Sequence, residues 1–356
     1  MRWAPGMRRS AVVVVTAIGL VAPVVWAGPV SAAPRDLQQV RIQVMNLEAK
    51  AEAANERYNE ASLRFNEITG SVRNLKKKVN RERRALDEVL GSVDDLARAT
   101  YTSGGVDTSL QILLAEDPVQ FLAQAAALDQ LAQSQAADLR QTQTARLRLA
   151  QTEAALKQKQ SAARKVRNEM ASARREARDR LADAEKVLGS LQAAERRRLA
   201  AMAADERRAA LAAAASAAAS LGSGASGAGG GFSGGSRAMA AVRYALSQVG
   251  DRYVAAAAGP SAFDCSGLTM MAWRQAGISL PHYSYSQYRR VRKIPLSQAQ
   301  PGDLVFYFGG SVHHVGIYIG NGKMVHAANP RSGVLVSNIL GPWYSQHFTG
   351  IGRVVG

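Results

Sequence analysis

From Leu37 to Leu96 an apolar side chain returns every three or four positions: Leu37, Val40, Val44, Leu47, Ala51, Ala54, Tyr58, Ala61, Phe65, Ile68, Val72, Leu75 and Val79, then Leu86, Val89, Val93 and Leu96 beyond a lapse at Glu82. A stripe sustained over so many turns needs a partner helix along its whole length, and so predicts a coiled coil. At 1.5 Å per residue, sixty residues make a rod of roughly 90 Å. Gly104 and Gly105 in "TSGGVDTS" break the helix. The apolar patch "LQILLAEDPVQFLAQ" follows, with Pro118 suited to the first turn of a new helix. A second long helix is expected to run to about Ala215, with a weaker seam through Leu128, Leu131, Leu149, Leu156, Val166, Met170, Val187 and Leu191. Two helices of similar length around a glycine break predict an antiparallel hairpin over 36–215 with a short helical tip near 101–123. A parallel dimeric rod is the alternative.

Beyond the hairpin the composition changes twice. Residues 216–236, "SAAASLGSGASGAGGGFSGGS", carry no charge and no apolar period, and predict a flexible linker. Residues 237–356 hold all five histidines, and their only acids are Asp251, Asp264 and Asp303. About 120 residues suffice for one compact domain.

The N-terminus bears on compartment. Arg2, Arg8 and Arg9 precede an apolar run from Ala11 to Val25, and the small residues of "AGPVSAAP" follow. That order predicts a secretory signal peptide over 1–32, and the run is short for a membrane span. The mature chain is expected to be secreted and wall-associated, with no stable membrane span after signal cleavage; a retained anchor is the alternative. Lys and Arg number 45 against 28 Asp and Glu, a net +17, which favours retention at a polyanionic surface such as a cell wall. No nucleic-acid-binding motif accompanies the charge, and no nucleic-acid partner is expected.

The single cysteine, Cys265 in "AFDCSGLT", cannot form an internal disulfide. It opens a predicted helix, "CSGLTMMAWRQAG", capped by Asp264 and ended by Gly277. A thiol in the first turn meets unpaired N–H groups and the positive end of the dipole, which favours the thiolate. Asp264 partly opposes this, so a base is needed.

"HHVGIYIGNGKMVHAA" predicts a β-hairpin that carries two candidates, His314 and His326. A two-residue loop, Asn321-Gly322, puts the histidines on opposite faces. A three-residue loop, 320–322, pairs position 326 with 316, so that His326 lies diagonal to His314 on one face and within reach of it. It also keeps Val315, Ile317, Val325 and Ala327 together, and is favoured for that reason, with Gly322 left-handed. Thiol, base and orienting group, Cys265, His314 and His326, then form the arrangement used in covalent acyl transfer. His313 has the wrong parity, His347 reads as structural, and His282 lies in a loop that could line the cleft. Nothing has metal-ligand spacing, so no metal and no cofactor are expected.

At these residues the chain resembles the NlpC/P60 family, papain-like cysteine peptidases of bacterial cell walls. The matching stretches are "FDCSGL", "GISLPHYSYSQY", "QPGDLVFY", "HVGIYIGNGKMVHA" and the final "IGRVV". The resemblance implies an α+β fold, a small papain-like domain with helices packed on an antiparallel sheet. It implies Cys265 as nucleophile, His314 as base and His326 as third polar residue, with Tyr253 helping to hold the oxyanion. Asp264 and Ser266 are expected to hold the polar end of the substrate. That substrate would be peptidoglycan, cut in its stem peptide between D-γ-glutamyl and diaminopimelate or lysine. "AAAAGP" stands where the family carries a Trp-Gly-Gly-like turn, which changes the cleft wall. A wall-binding scaffold with a silent domain and an acyltransferase are the alternatives. "ATYTSGGVDTSLQILLAEDPVQFL" is similar to the arm tip of division-associated wall hydrolases, which implies a membrane regulator of the FtsEX type. The tether lets the arm fold back over Cys265, and the Ala- and Arg-rich second helix is the surface expected to cover it.

Overall fold

The apolar stripe lies on one unbroken helix, α1 (Leu37–Thr102), and α2 (Pro118–Gly189) runs back along it. The computed structural model describes residues 37–102, 118–223 and 233–355. The segment expected as a signal peptide, the centre of the expected tip (103–117) and residues 224–232 of the expected linker lie outside the described residues. Pro118 heads α2, where its missing N–H costs no bond. Arg57 pairs with Glu176 at 2.8 Å, Arg64 with Glu169 at 2.9 Å and Arg83 with Glu153 at 2.6 Å. The partner number falls along α2 as it rises along α1, so the hairpin is antiparallel. Exposed pairs of this kind are each worth at most about 1 kcal/mol; they mark the register, while Val79, Val166, Ala173 and Ala177 are buried between the helices. Glu82 keeps its side chain 19% exposed and pairs with Lys78 at 3.6 Å, which lets a charge stand at the seam.

Two boundaries differ from the sequence expectation. The second helix does not continue to Ala215: it ends at Gly189, and α3 (Ala193–Ser223) begins after a short break. Leu191 in that break is buried with Val40, Val44 and Ala184, and the Glu195 carboxylate accepts the Gln192 N–H at 2.9 Å, a first-turn cap. The stretch expected as a flexible linker is helical at both ends, to Ser223 in α3 and from Ser233 in α4 (Ser233–Ser247). Its alanine run has the highest helix propensity of any residue, and Ala210 and Ala214 are buried in the core of the C-terminal unit.

That unit is built on a six-stranded sheet in the order β3-β8-β4-β5-β6-β7, antiparallel throughout. The strands are β3 (Arg292–Ile294), β4 (Leu304–Tyr307), β5 (His314–Gly320), β6 (Lys323–Asn329), β7 (Gly333–Asn338) and β8 (Phe348–Arg353); β1 (Arg252–Tyr253) and β2 (Ala262–Phe263) form a separate parallel pair. In the interior strand β4, Leu304 and Phe306 enter one apolar cluster and Val305 and Tyr307 the other, as a two-residue period requires. The first cluster joins the sheet to α4 and to α5 (Cys265–Gln275). A short helix, α6 (Ser284–Arg290), follows α5. The architecture is thus α+β, a long helical hairpin followed by a small antiparallel-sheet domain.

The β5–β6 hairpin reaches the expected register by a different route. Gly320 pairs with Lys323, which closes a two-residue turn in which Asn321 (φ +52) and Gly322 (φ +66) are both left-handed, the type I′ geometry. A bulge between Tyr318 and Gly320 supplies the extra residue, so Ile317 pairs with Val325. The parity is that of the three-residue loop, and Val315, Ile317, Val325 and Ala327 share one core.

Candidate active site

Asp264 caps α5: its carboxylate accepts the Gly267 N–H at 2.7 Å, which fixes Cys265 in the first turn. The start of β5 lies alongside, with the Cys265 thiol 3.7 Å from the His313 carbonyl oxygen. On β5 and β6, His314 Nε2 and His326 Nδ1 are 2.8 Å apart, and His326 Nε2 lies 2.9 Å from Ser337 Oγ. Gly316 makes this approach possible, because a Cβ there would lie 3.1 Å from His326 Cβ and 2.8 Å from Met324 Sδ. Both imidazoles are buried, and the Tyr344 ring packs against each, at 5.8 Å from His314 and 5.2 Å from His326. Burial, with His314 beside it, pushes the His326 pKa well below its ordinary value, so His326 is neutral.

Cys265, His314 and His326 are thus brought together, and Tyr253, Asp264 and Ser266 border them. Tyr253 is buried in the core cluster that holds Cys265. Burial and the nearby carboxylate of Glu52 raise its phenol well above the usual range. Asp264 lies under the "AAAAGP" loop and accepts the Ala256 N–H at 2.9 Å. His282, left open on sequence, is 2.7 Å from Asp264 Oδ1. Burial opposes charge on both partners, but their contact outweighs it, lowering the Asp264 pKa and raising that of His282. His313 and His347 are not part of the pair; both stack on Phe308, at 4.0 and 4.6 Å.

The sequence reading missed the groups that fill the cleft. They come from α1, not from the Ala- and Arg-rich second helix expected there. Glu52 Oε1 lies 2.6 Å from His314 Nδ1. Glu56 Oε1 accepts from Ser266 Oγ at 2.7 Å, and Oε2 accepts from the N–H and hydroxyl of Ser284 at 2.5 and 2.6 Å. Asn55 and Asn59 each donate to Asp264 Oδ2 at 3.0 Å. At the edge, Arg331 grips Glu48 with two bonds of 2.8 and 3.0 Å. Cys265 is fully buried.

These carboxylates reverse the electrostatics expected of a helix-start cysteine. Burial pushes the Cys265 thiol well above its ordinary value, and Glu52, Glu56 and Asp264 push it further. Burial and Asp264 also raise the Glu56 carboxyl to about 7, against the lowering by its serine partners. Donor atoms of Glu52, Cys265 and His314 lie within 4.8 Å of one another, the kind of cluster that can hold a cation. The 2.6 Å contact between Glu52 and His314 is a hydrogen bond; two ligands of one tetrahedral zinc stand roughly 3.3 Å apart.

Residues 250–353 match the model of the NlpC/P60 family. Among curated proteins, the probable endopeptidase p60 of Listeria grayi is 48% identical over 111 residues, 31% of this chain and 21% of that protein. A probable endopeptidase of Mycobacterium tuberculosis is 50% identical over 97 residues, 27% of this chain and 24% of that protein. The chain therefore spans about a fifth to a quarter of the length of these relatives. Among solved structures, the NlpC/p60 domain of the peptidoglycan hydrolase SagA is 32% identical and is covered over 98% of its length by 33% of this chain, with a TM-score of 0.30.

Proposed function

Because residues 250–353 belong to the NlpC/P60 family, we propose that this chain is an exported cysteine endopeptidase that hydrolyses the stem peptides of peptidoglycan. The observation that carries the reading is the His314–His326 contact of 2.8 Å beside a cysteine at the start of α5. The Cys265 thiolate attacks the amide carbonyl, and the Cys265 N–H and Tyr253 steady the oxyanion. His314 takes the thiol proton and gives it to the departing amine, leaving an acyl-enzyme that water hydrolyses. His326, neutral and held by Ser337, orients His314. Asp264 and Ser266 hold the polar end of the peptide. The scissile bond is the one between D-γ-glutamyl and diaminopimelate or lysine.

The net charge of +17 suits an anionic wall, and no helix among the described residues is long and apolar enough to cross a membrane. At the far end of the arm, Tyr101, Phe121 and Leu122 are exposed, which suits a membrane regulator of the FtsEX type acting there. The covered cleft favours one further reading, a wall scaffold whose catalytic domain is silent. A purified stem tetrapeptide separates the two. The hydrolase releases a γ-glutamyl dipeptide fragment, seen by mass, and Cys265→Ala releases none. Equal release by both proteins removes the mechanism.

A further inference from the structure

Glu48, Glu52, Asn55, Glu56 and Asn59 of α1 fall within an arc of about 100° on the helix surface. The seam residues Leu47, Ala51, Ala54, Tyr58 and Ala61 are centred roughly 130° away. Helix α1 therefore has two working faces here, one against α2 and one against the cleft. Along the second face Glu48, Glu52, Asn55, Glu56 and Asn59 are all buried, which is unusual for side chains so costly to dehydrate. They are accommodated because the cleft supplies a partner for each: Arg331, His314, Asp264, and Ser266 with Ser284.

Taking Cys265 and His314 as nucleophile and base, as read above, we propose that Glu48–Asn59 of α1 is an intrachain inhibitor that both covers the thiol and holds the base in the wrong tautomer. Nε2 of His314 is engaged by His326, which leaves Nδ1 as the nitrogen available to the thiol. Glu52 occupies that nitrogen. In this reading His314 donates its Nδ1 proton to Glu52 and so cannot accept one there from Cys265. The chain of bonds then runs from the Ser337 hydroxyl to His326 Nε2, from His326 Nδ1–H to His314 Nε2, and from His314 Nδ1–H to Glu52. When α1 lifts, the chain reverses. His314 yields its Nδ1 proton to water and takes the His326 Nδ1 proton at Nε2, and His326 regains a proton from solvent at Nε2. No net proton is gained or lost by the pair, and Nδ1 now faces the thiol as an acceptor. One movement opens the cleft and arms the base.

The Glu48–Arg331 pair tests this without touching the reacting groups, and Cys265 is the only cysteine to label. In the full chain, Glu48→Arg should speed alkylation of Cys265 by iodoacetamide by about tenfold or more, the scale of breaking one half-buried two-bond ion pair. Glu48→Arg combined with Arg331→Glu restores the attraction and should return labelling towards the slow wild-type rate. Wild-type labelling as fast as that of Glu48→Arg, or no slowing in the swap, overturns the proposal. If circular dichroism shows that Glu48→Arg loses helix, Glu48→Gln should give a smaller acceleration of the same sign, and none at all counts against the inhibitor. With ¹⁵N-labelled histidine, Nδ1 of His314 should give a protonated-type signal in the wild type; an unprotonated-type signal there refutes the tautomer lock. Labelling responds to α1 whether or not the chain cleaves peptidoglycan. Fast labelling of Glu48→Arg without stem-peptide cleavage would therefore sink the hydrolase reading and leave the inhibitor standing.

Discussion

Glu56 makes closure of the cleft depend on pH. Buried by α1 against Ser266, Ser284 and Asp264, its carboxyl is raised from 4.5 to about 7; lifted into water, it returns to the ordinary value. The closed state is therefore favoured while Glu56 is protonated. That advantage is full below pH 4.5 and is lost as pH rises through about 7. At about 1.4 kcal/mol per unit, the shift is worth roughly 3 kcal/mol, or on the order of a hundredfold in the opening equilibrium. The other groups facing Glu56 do not cancel it. Cys265, raised in the closed state by burial and the nearby carboxylates, acts in the same direction at higher pH. Asp264, held low against its burial by His282, Asn59 and Asn55, opposes only below its own range. The assay is the Cys265 alkylation rate of the wild type divided by that of Glu56→Gln at each pH; the variant keeps the thiol but lacks the titrating carboxyl, so the titration of the exposed thiol itself cancels. The ratio should climb steeply between pH 5 and 7. A wild-type ratio that is flat, or that falls with pH, refutes the reasoning.

Two further outcomes probe the histidine pair. Gly316→Ala places a methyl 2.8 Å from Met324 Sδ and 3.1 Å from His326 Cβ, so it should cost about 1–3 kcal/mol in thermal unfolding and, by displacing His326, lower kcat more than it raises KM. His326→Ala leaves His314 Nε2 without its 2.8 Å partner. It should reduce kcat by about a hundredfold or more, the scale for a group that sets a base's tautomer, with KM little changed; a loss confined to KM would show that His326 binds substrate instead.

The contact between His314 and His326 was legible because each step follows a local rule. An aspartate before a helix caps it, strand faces alternate, and one inserted residue restores parity. Whether that residue sits in the turn or in a bulge is not encoded by parity, and so the three-residue loop was expected where Asn321-Gly322 and a bulge occur. The break at 190–192 was hidden because Gly189 sits within an alanine-rich run that otherwise continues as helix. The inhibitory face of α1 was hidden for a deeper reason. Glu48, Glu52, Asn55, Glu56 and Asn59 read as the solvated side of a coiled coil, because polar residues off the seam look the same whether water or a cleft faces them. Only the partners on α5, α6, β5 and the β6–β7 turn distinguish the two cases, and those lie more than two hundred residues away in sequence.

Digestion of purified sacculi by the full chain, by Glu48→Arg and by Glu48→Arg combined with Cys265→Ala measures the central claim most directly. The wild type should release soluble fragments ending at the γ-glutamyl residue slowly, Glu48→Arg about tenfold faster or more, in step with its labelling, and the Cys265→Ala derivative none. Fragments of the same mass released equally by the Cys265→Ala derivative would contradict the account.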